Sequence, residues 1–164
     1  MGFLLTAVVW IQAAVAPLVL PMRLDPTLLR LGGWEALAGE IEAVRRREKA
    51  AFVVSDNYAH AALLARLLPG EVFGIDPRWA LFDLPDARAG IVGKVGILVR
   101  SARRDDNPDA SDWARIERLG VVDRARHGMV GEQFRLYRVE GRAGDMPIAV
   151  MPHPAGVPHA ASDP

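Results

Sequence analysis

Residues able to do chemistry are sparse in this 164-residue chain. The densest group is Asp56, Asn57 and Tyr58, directly after the apolar run Ala51-Phe52-Val53-Val54-Ser55. A carboxylate, an amide and a phenol at the carboxyl end of a strand stand where open α/β sheets form ligand crevices. They also have a plainer use, since Asp56 or Asn57 can cap the helix that follows through a side-chain oxygen. Nothing between Val54 and Ala59 supplies a glycine-rich phosphate loop, so a dinucleotide or nucleoside-triphosphate site is disfavoured.

The remaining reactive types form no set. The histidines are His60, His127, His153 and His159, and no pair has helical ligand spacing with a carboxylate in register, so no metal site is predicted. His60 is expected on a helix surface or between helix and sheet. His153 and His159 fall in a proline-rich tail, where solvated disorder is the default and weak metal binding the alternative. Ser55 and Ser101 follow strands but have no nucleophile-elbow motif, and no Ser/His/Asp arrangement is offered. The absence of cysteine excludes disulfides, thiolate metal sites and thiol nucleophiles. No catalytic residue, metal or cofactor is therefore expected. Lys plus Arg equals Asp plus Glu at 20 each, so no global field attracts nucleic acid, which is not an expected partner. Lysine occurs only at Lys49 and Lys94, and with abundant Ala and Gly this arginine bias points to a GC-rich genome.

The elements that must position these residues follow from periodicity. Trp34, Leu37, Ile41 and Val44 recur at helical spacing after Gly32-Gly33, with Glu35, Glu40 and Glu42 early and Arg45, Arg46 and Arg47 late, which predicts one amphipathic helix ending near Glu48. The arginine run reads as a solvated helix end, with a phosphate or lipid-headgroup contact as the alternative. Ala51–Ser55, the helix that Pro69-Gly70 stops, and Glu71–Ile75 have the order of a βαβ unit, which favours a parallel sheet. Pro77–Pro85 is aromatic-rich and bracketed by prolines, a packed loop or edge piece. Lys94–Arg100 is a third strand and Arg103–Asp109 a charged turn. Ser111 or Asp112 should cap a short helix carrying Trp113, Ile116 and Leu119 inward. Val121–Val130 and Gln133–Glu140 should form a hairpin, turning at His127-Gly128 or Gly131-Glu132.

The N-terminus is different in kind. Residues 1–22 carry no charge and are apolar except for Thr6 and Gln12. About 20 residues of helix reach roughly the 30 Å of a hydrocarbon core, so a transmembrane helix ending near Leu20 is predicted. A cleaved signal peptide and a buried helix are the alternatives. A signal peptide would lack its positive n-region and would place Pro17 first after Ala14-Val15-Ala16. The expected organisation is an α/β protein: a transmembrane helix over 1–22, a small mixed-sheet, βαβ-containing domain over 23–141, and a disordered Pro/Gly-rich tail over 142–164.

The motifs Asp25-Pro26, Gly33-Trp34, Ser55-Asp56-Asn57-Tyr58, Leu68-Pro69-Gly70 and Leu136-Tyr137-Arg138, in that order behind an uncharged span, carry a resemblance. Over roughly residues 20–141 the chain resembles the C-terminal soluble domain of bacterial membrane glycosyltransferases of the protein O-mannosyltransferase and aminoarabinose-transferase superfamily. The resemblance implies a polyprenyl-phosphate-linked sugar donor, an upstream multi-span transferase portion, and location at the bacterial inner membrane with the soluble domain on the periplasmic side. It places the acidic catalytic residues in an external loop that this sequence does not contain, so the chain alone should be inactive. The segment Arg78-Trp79-Ala80-Leu81-Phe82-Asp83 departs from the longer polar stretch expected of the family, and Arg78 and Asp83 join Asp56, Asn57 and Tyr58 as ligand-binding candidates. Two alternatives stand beside this reading: a free-standing membrane-anchored α/β binding domain, and a small soluble enzyme with a misread N-terminus.

Overall fold

The computed structural model describes residues 2–15, 18–19, 32–82, 86–144 and 147–152. Its domain is a small mixed α/β unit around one six-stranded sheet of order β4-β5-β3-β1-β2-β6. Strands β1 (Phe52–Ser55), β2 (Val72–Ile75) and β3 (Val95–Ser101) are mutually parallel about β1, while β4 (Trp113–Arg126), β5 (Met129–Gly141) and β6 (Ile148–Val150) join antiparallel. The predicted βαβ unit is present, its crossover being α3 (Tyr58–Leu67).

Two helices cover one face. In α2 (Trp34–Arg47) the buried residues are Trp34, Leu37, Ala38, Ile41 and Val44, the stripe that the 3.6-residue period dictates. Gly33 starts this helix at φ 83, and a Cβ there would sit 2.6 Å from the Ala125 carbonyl oxygen, so the turn requires glycine. With Ala61, Leu64 and Ala65 of α3, the stripe packs on Val53, Val72, Ile97, Val99, Phe134 and Leu136. The opposite face has its own cluster, Phe52, Val54, Phe73, Ile75, Ile91, Leu98, Trp113, Tyr137, Val139 and Ile148. Loops and 3-10 turns (Pro77–Phe82, Arg88–Gly90, Ala110–Asp112) take the place of a second helical layer. Trp79 nonetheless packs on the helical side, in the space left by the missing Cβ of Gly74.

Within the domain and tail the structure corrects two expectations. The short helix expected after Ser111 is a 3-10 turn, capped by Asp109, followed at once by β4. Trp113 and Ile116 mimic helical spacing because the pairing with β5 shifts register between Trp113 and Arg115, and the extra residue turns two side chains three apart onto one face. The hairpin then closes at His127-Gly128, whose φ values of 51 and 77 suit a two-residue turn matched to strand twist. The tail expected to be disordered from 142 contributes β6, which pairs with β2 through Ile148↔Ile75 and Val150↔Phe73. The four apolar residues between Pro147 and Pro152 suffice there, because an edge strand tolerates flanking prolines. Residues 153–164, including His153 and His159, lie outside the described residues.

At the N-terminus, α1 (Gly2–Val15) has 14 residues, about 21 Å of helix, and no helix of the described residues is long and apolar enough to cross a membrane. The continuous helix expected to run to Leu20 is therefore not matched by α1. The Gln12 side chain accepts from the Leu18 N–H at 3.2 Å and donates to its carbonyl at 2.8 Å, occupying its polar atoms on nearby backbone. Residues 16–17 and 20–31 lie outside the described residues.

Candidate functional site

The chain leaves β1 toward β2 on one side and leaves β3 toward β4, which lies beyond β5, on the other. Between the carboxyl ends of β1 and β3 the connections diverge, and in open α/β sheets that is where a crevice forms. Asp56 follows β1 and Arg100 ends the apolar part of β3. Strand alternation puts Arg100 on the side of Leu98, away from the helices.

Of the two cap candidates, Asn57 is the one that caps α3, its Oδ1 accepting from the Ala59 and His60 N–H groups at 2.9 and 3.2 Å. Asp56 is thereby released for another use. Its Oδ2 lies 3.1 Å from Arg100 Nε and 3.1 Å from Arg104 Nη1. The Arg104 contact is a hydrogen bond, whereas Arg100 Nε is near but not aimed at the carboxylate. Arg100 instead donates through Nη2 to Asp106 Oδ2 at 2.5 Å. Its side chain is only 4 % exposed, so a buried guanidinium ties β3 to β1 and to the charged loop. Arg135 of β5 completes the tie by donating to the backbone carbonyls of Arg104 and Asp106.

Burial pushes the Asp56 carboxyl above its ordinary value, against the pull of Arg100 and Arg104. Asp106 is held below its ordinary value, chiefly by its hydrogen bond from Arg100. Desolvation and the neighbouring Asp109 carboxylate raise Asp112.

Around this base lies a cleft of about 790 Å³, within the roughly 300–1,000 Å³ of small-molecule sites. Ile75, Leu98 and Trp113 supply its apolar lining, and Asp56, Arg104, Asp106 and Asn107 part of its polar lining. Four of the five sequence candidates come together here. Tyr58 is half exposed at the start of α3, with the Arg78 guanidinium 5.8 Å above its ring. Asp76 fixes Arg78 by accepting from its backbone N–H at 2.8 Å. Asp83 lies outside the described residues. The sequence reading missed Arg100, Arg104, Asp106 and Asp112. The signal that could have found them was an arginine ending an apolar strand, followed by a charged turn.

Elsewhere the reactive types serve the fold. His60 packs against Trp34 and Phe134 at centroid distances of 5.5 and 5.1 Å, and burial lowers its pKa against the opposing pull of Glu132 and Asp56. Ser101 donates to Glu132 at 2.6 Å, and the buried Ser55 hydroxyl accepts from the Asn57 N–H at 3.4 Å. Among the described residues no group of His, Asp or Glu could hold a metal ion. The cleft thus offers hydrogen-bond donors and acceptors together with charge of both signs. No family model, curated protein or solved structure matches the chain.

Proposed function

We propose that the chain is the non-catalytic, C-terminal α/β part of a membrane glycosyltransferase that uses a polyprenyl-phosphate-linked sugar, contributing ligand binding beside a multi-span catalytic portion. The observation that carries the reading is the pairing of a charged cleft at the β1/β3 crevice with an N-terminal helix whose apolar side chains stand in the open. Phe3 is 95 % and Trp10 72 % exposed, and Leu4, Leu5, Val8, Val9 and Ile11 are exposed as well. An uncharged helix of this kind is stabilised by lipid or by neighbouring apolar helices, and α1 with the apolar residues that follow it in sequence is the membrane-associated part in this proposal. The domain then lies at the periplasmic surface of a bacterial inner membrane. The resemblance in the motifs from Asp25 to Arg138 supplies the transferase chemistry.

Activating a glycosyl phosphate requires a positioned base for the acceptor and a cation for the leaving phosphate in a water-excluding site. Asp56 and Asp106 are paired with Arg104 and Arg100, and in this proposal the catalytic groups belong to the multi-span portion. The test is sugar transfer from polyprenyl-phosphate sugars by the purified full chain, alone and co-expressed with the multi-span portion of such a transferase. The chain alone should give no turnover and the pair should give it. Turnover by the isolated chain, or none by a correctly assembled pair, overturns the proposal.

A further inference from the structure

We infer that the β1/β3 cleft binds a neutral saccharide through its hydroxyl groups. The inference rests on the reading above and names the ligand class of the same cleft. Charge makes the first cut. Arg78, Arg100 and Arg104 line the cleft with Asp56, Asp76, Asp106, Asp109 and Asp112, so carboxylates outnumber guanidiniums by five to three. A phosphate would meet net negative charge, and the guanidiniums nearest the base are already engaged by Asp56 and Asp106. A cation would find Asp56 and Asp106 engaged in those same pairs. A neutral ligand that both donates and accepts avoids both penalties.

The polar groups at the rim fit that ligand. Arg104 and Asp106 have side chains 46 % and 63 % exposed, so a fixed donor and a fixed acceptor stand next to each other at the opening. Both are held in place from below, Arg104 by Asp56 and Asp106 by Arg100. Asn107 and Tyr58 add an amide and a phenol. A hydroxyl both donates and accepts, so adjacent hydroxyls on a sugar ring match an alternating donor–acceptor rim. Beneath these groups Ile75, Leu98 and Trp113, themselves buried, form an apolar floor.

The experiment is amide-shift mapping of the full chain in lauryldimethylamine oxide micelles, a detergent without sugar or phosphate. The probes are the methyl glycosides of mannose, glucose, galactose and arabinose, then inorganic phosphate. At least one glycoside should shift amides of residues 56–58, 98–104 and 106–113 in a saturable way. Arg104→Ala and Asp106→Ala should each weaken that response about tenfold, the equivalent of one hydrogen bond to a charged group. Both side chains are largely exposed, and an unchanged amide spectrum outside the cleft shows that each variant is folded. Shifts from phosphate alone, no cleft shift from any glycoside, or a glycoside response indifferent to both variants overturns the inference. The sugar-transfer assay separates the two proposals. Turnover by the pair with a silent cleft removes only the saccharide assignment, and glycoside binding without turnover removes only the transferase reading.

Discussion

The two faces of the sheet are built by different means. One is sealed by two amphipathic helices over a core that includes Leu37, Ile41, Leu64, Ile97 and Val99, all at 0 % exposure. The other carries a comparable apolar cluster but is roofed by loops, and at the carboxyl end of the parallel strands the roof gives way to paired arginines and aspartates. The sealed face accounts for most of the core, and the open face for the charged cleft. The helix layer leaves a cleft of about 480 Å³ lined by residues that include Trp34, Leu63, Leu67 and His127, whereas the loop layer leaves one of about 790 Å³ and hangs charged groups around it.

That comparison can be broken first by truncating each face. Leu64→Ala, on the sealed side, should cost about 4 kcal/mol in urea unfolding, because tight surroundings cannot collapse into the void. Leu98→Ala, at the cleft, should cost about 2 kcal/mol, since its void adjoins open space. Equal losses would remove the distinction between the faces. Next in size is the helix cap: Asn57→Ala should cost about 1 kcal/mol, and Asn57→Asp much less, because either oxygen can accept from the Ala59 and His60 N–H groups.

The cleft also has a distinctive pH response. Asp56 titrates above its ordinary 3.8 in the folded protein, so its stabilising contribution is present below 3.8 and is lost as pH rises through the folded value. Glu42 on the sealed side has the opposite sign. Its hydrogen bond from Arg45 lowers it below 4.5, so its contribution is present above 4.5 and is lost as pH falls. Unfolding free energies measured across acid pH should therefore move in favour of Asp56→Asn over wild type as pH rises from 3.8, and in favour of Glu42→Gln as pH falls below 4.5. Parallel curves for variant and wild type would contradict the assignment. The smallest effect belongs to the solvated helix end. Arg46→Ala, at a side chain 73 % exposed, should change stability by no more than about 0.5 kcal/mol.

The sealed face was legible in the sequence because helix burial obeys a period. The stripe Trp34, Leu37, Ile41, Val44 and the βαβ order of residues 51–75 needed only local patterns. The open face was less legible, since it depends on contacts between distant segments. Asp56 and Asn57 looked interchangeable as caps, and only Arg100 and Arg104, more than forty positions later, decide between them. Trp113 and Ile116 looked helical because a bulge imitates a three-residue spacing. β6 was missed because a three-residue edge strand between prolines carries almost no periodic signal. At the N-terminus, hydropathy over 1–22 captured the apolar character, but α1 ends at Val15.

If the open face contributes to function and the sealed face to stability, exposed arginines on the two must differ in what their loss does. The most direct measurement is the initial rate of sugar transfer by the chain reconstituted with a multi-span transferase portion, comparing Arg104→Ala at the cleft with Arg46→Ala at the end of α2. Both side chains are at least 46 % exposed, so neither substitution opens the core. The expected result is a loss of about tenfold in kcat/KM for Arg104→Ala and an unchanged rate for Arg46→Ala. Equal rates for the two variants, or a loss confined to Arg46→Ala, would contradict it.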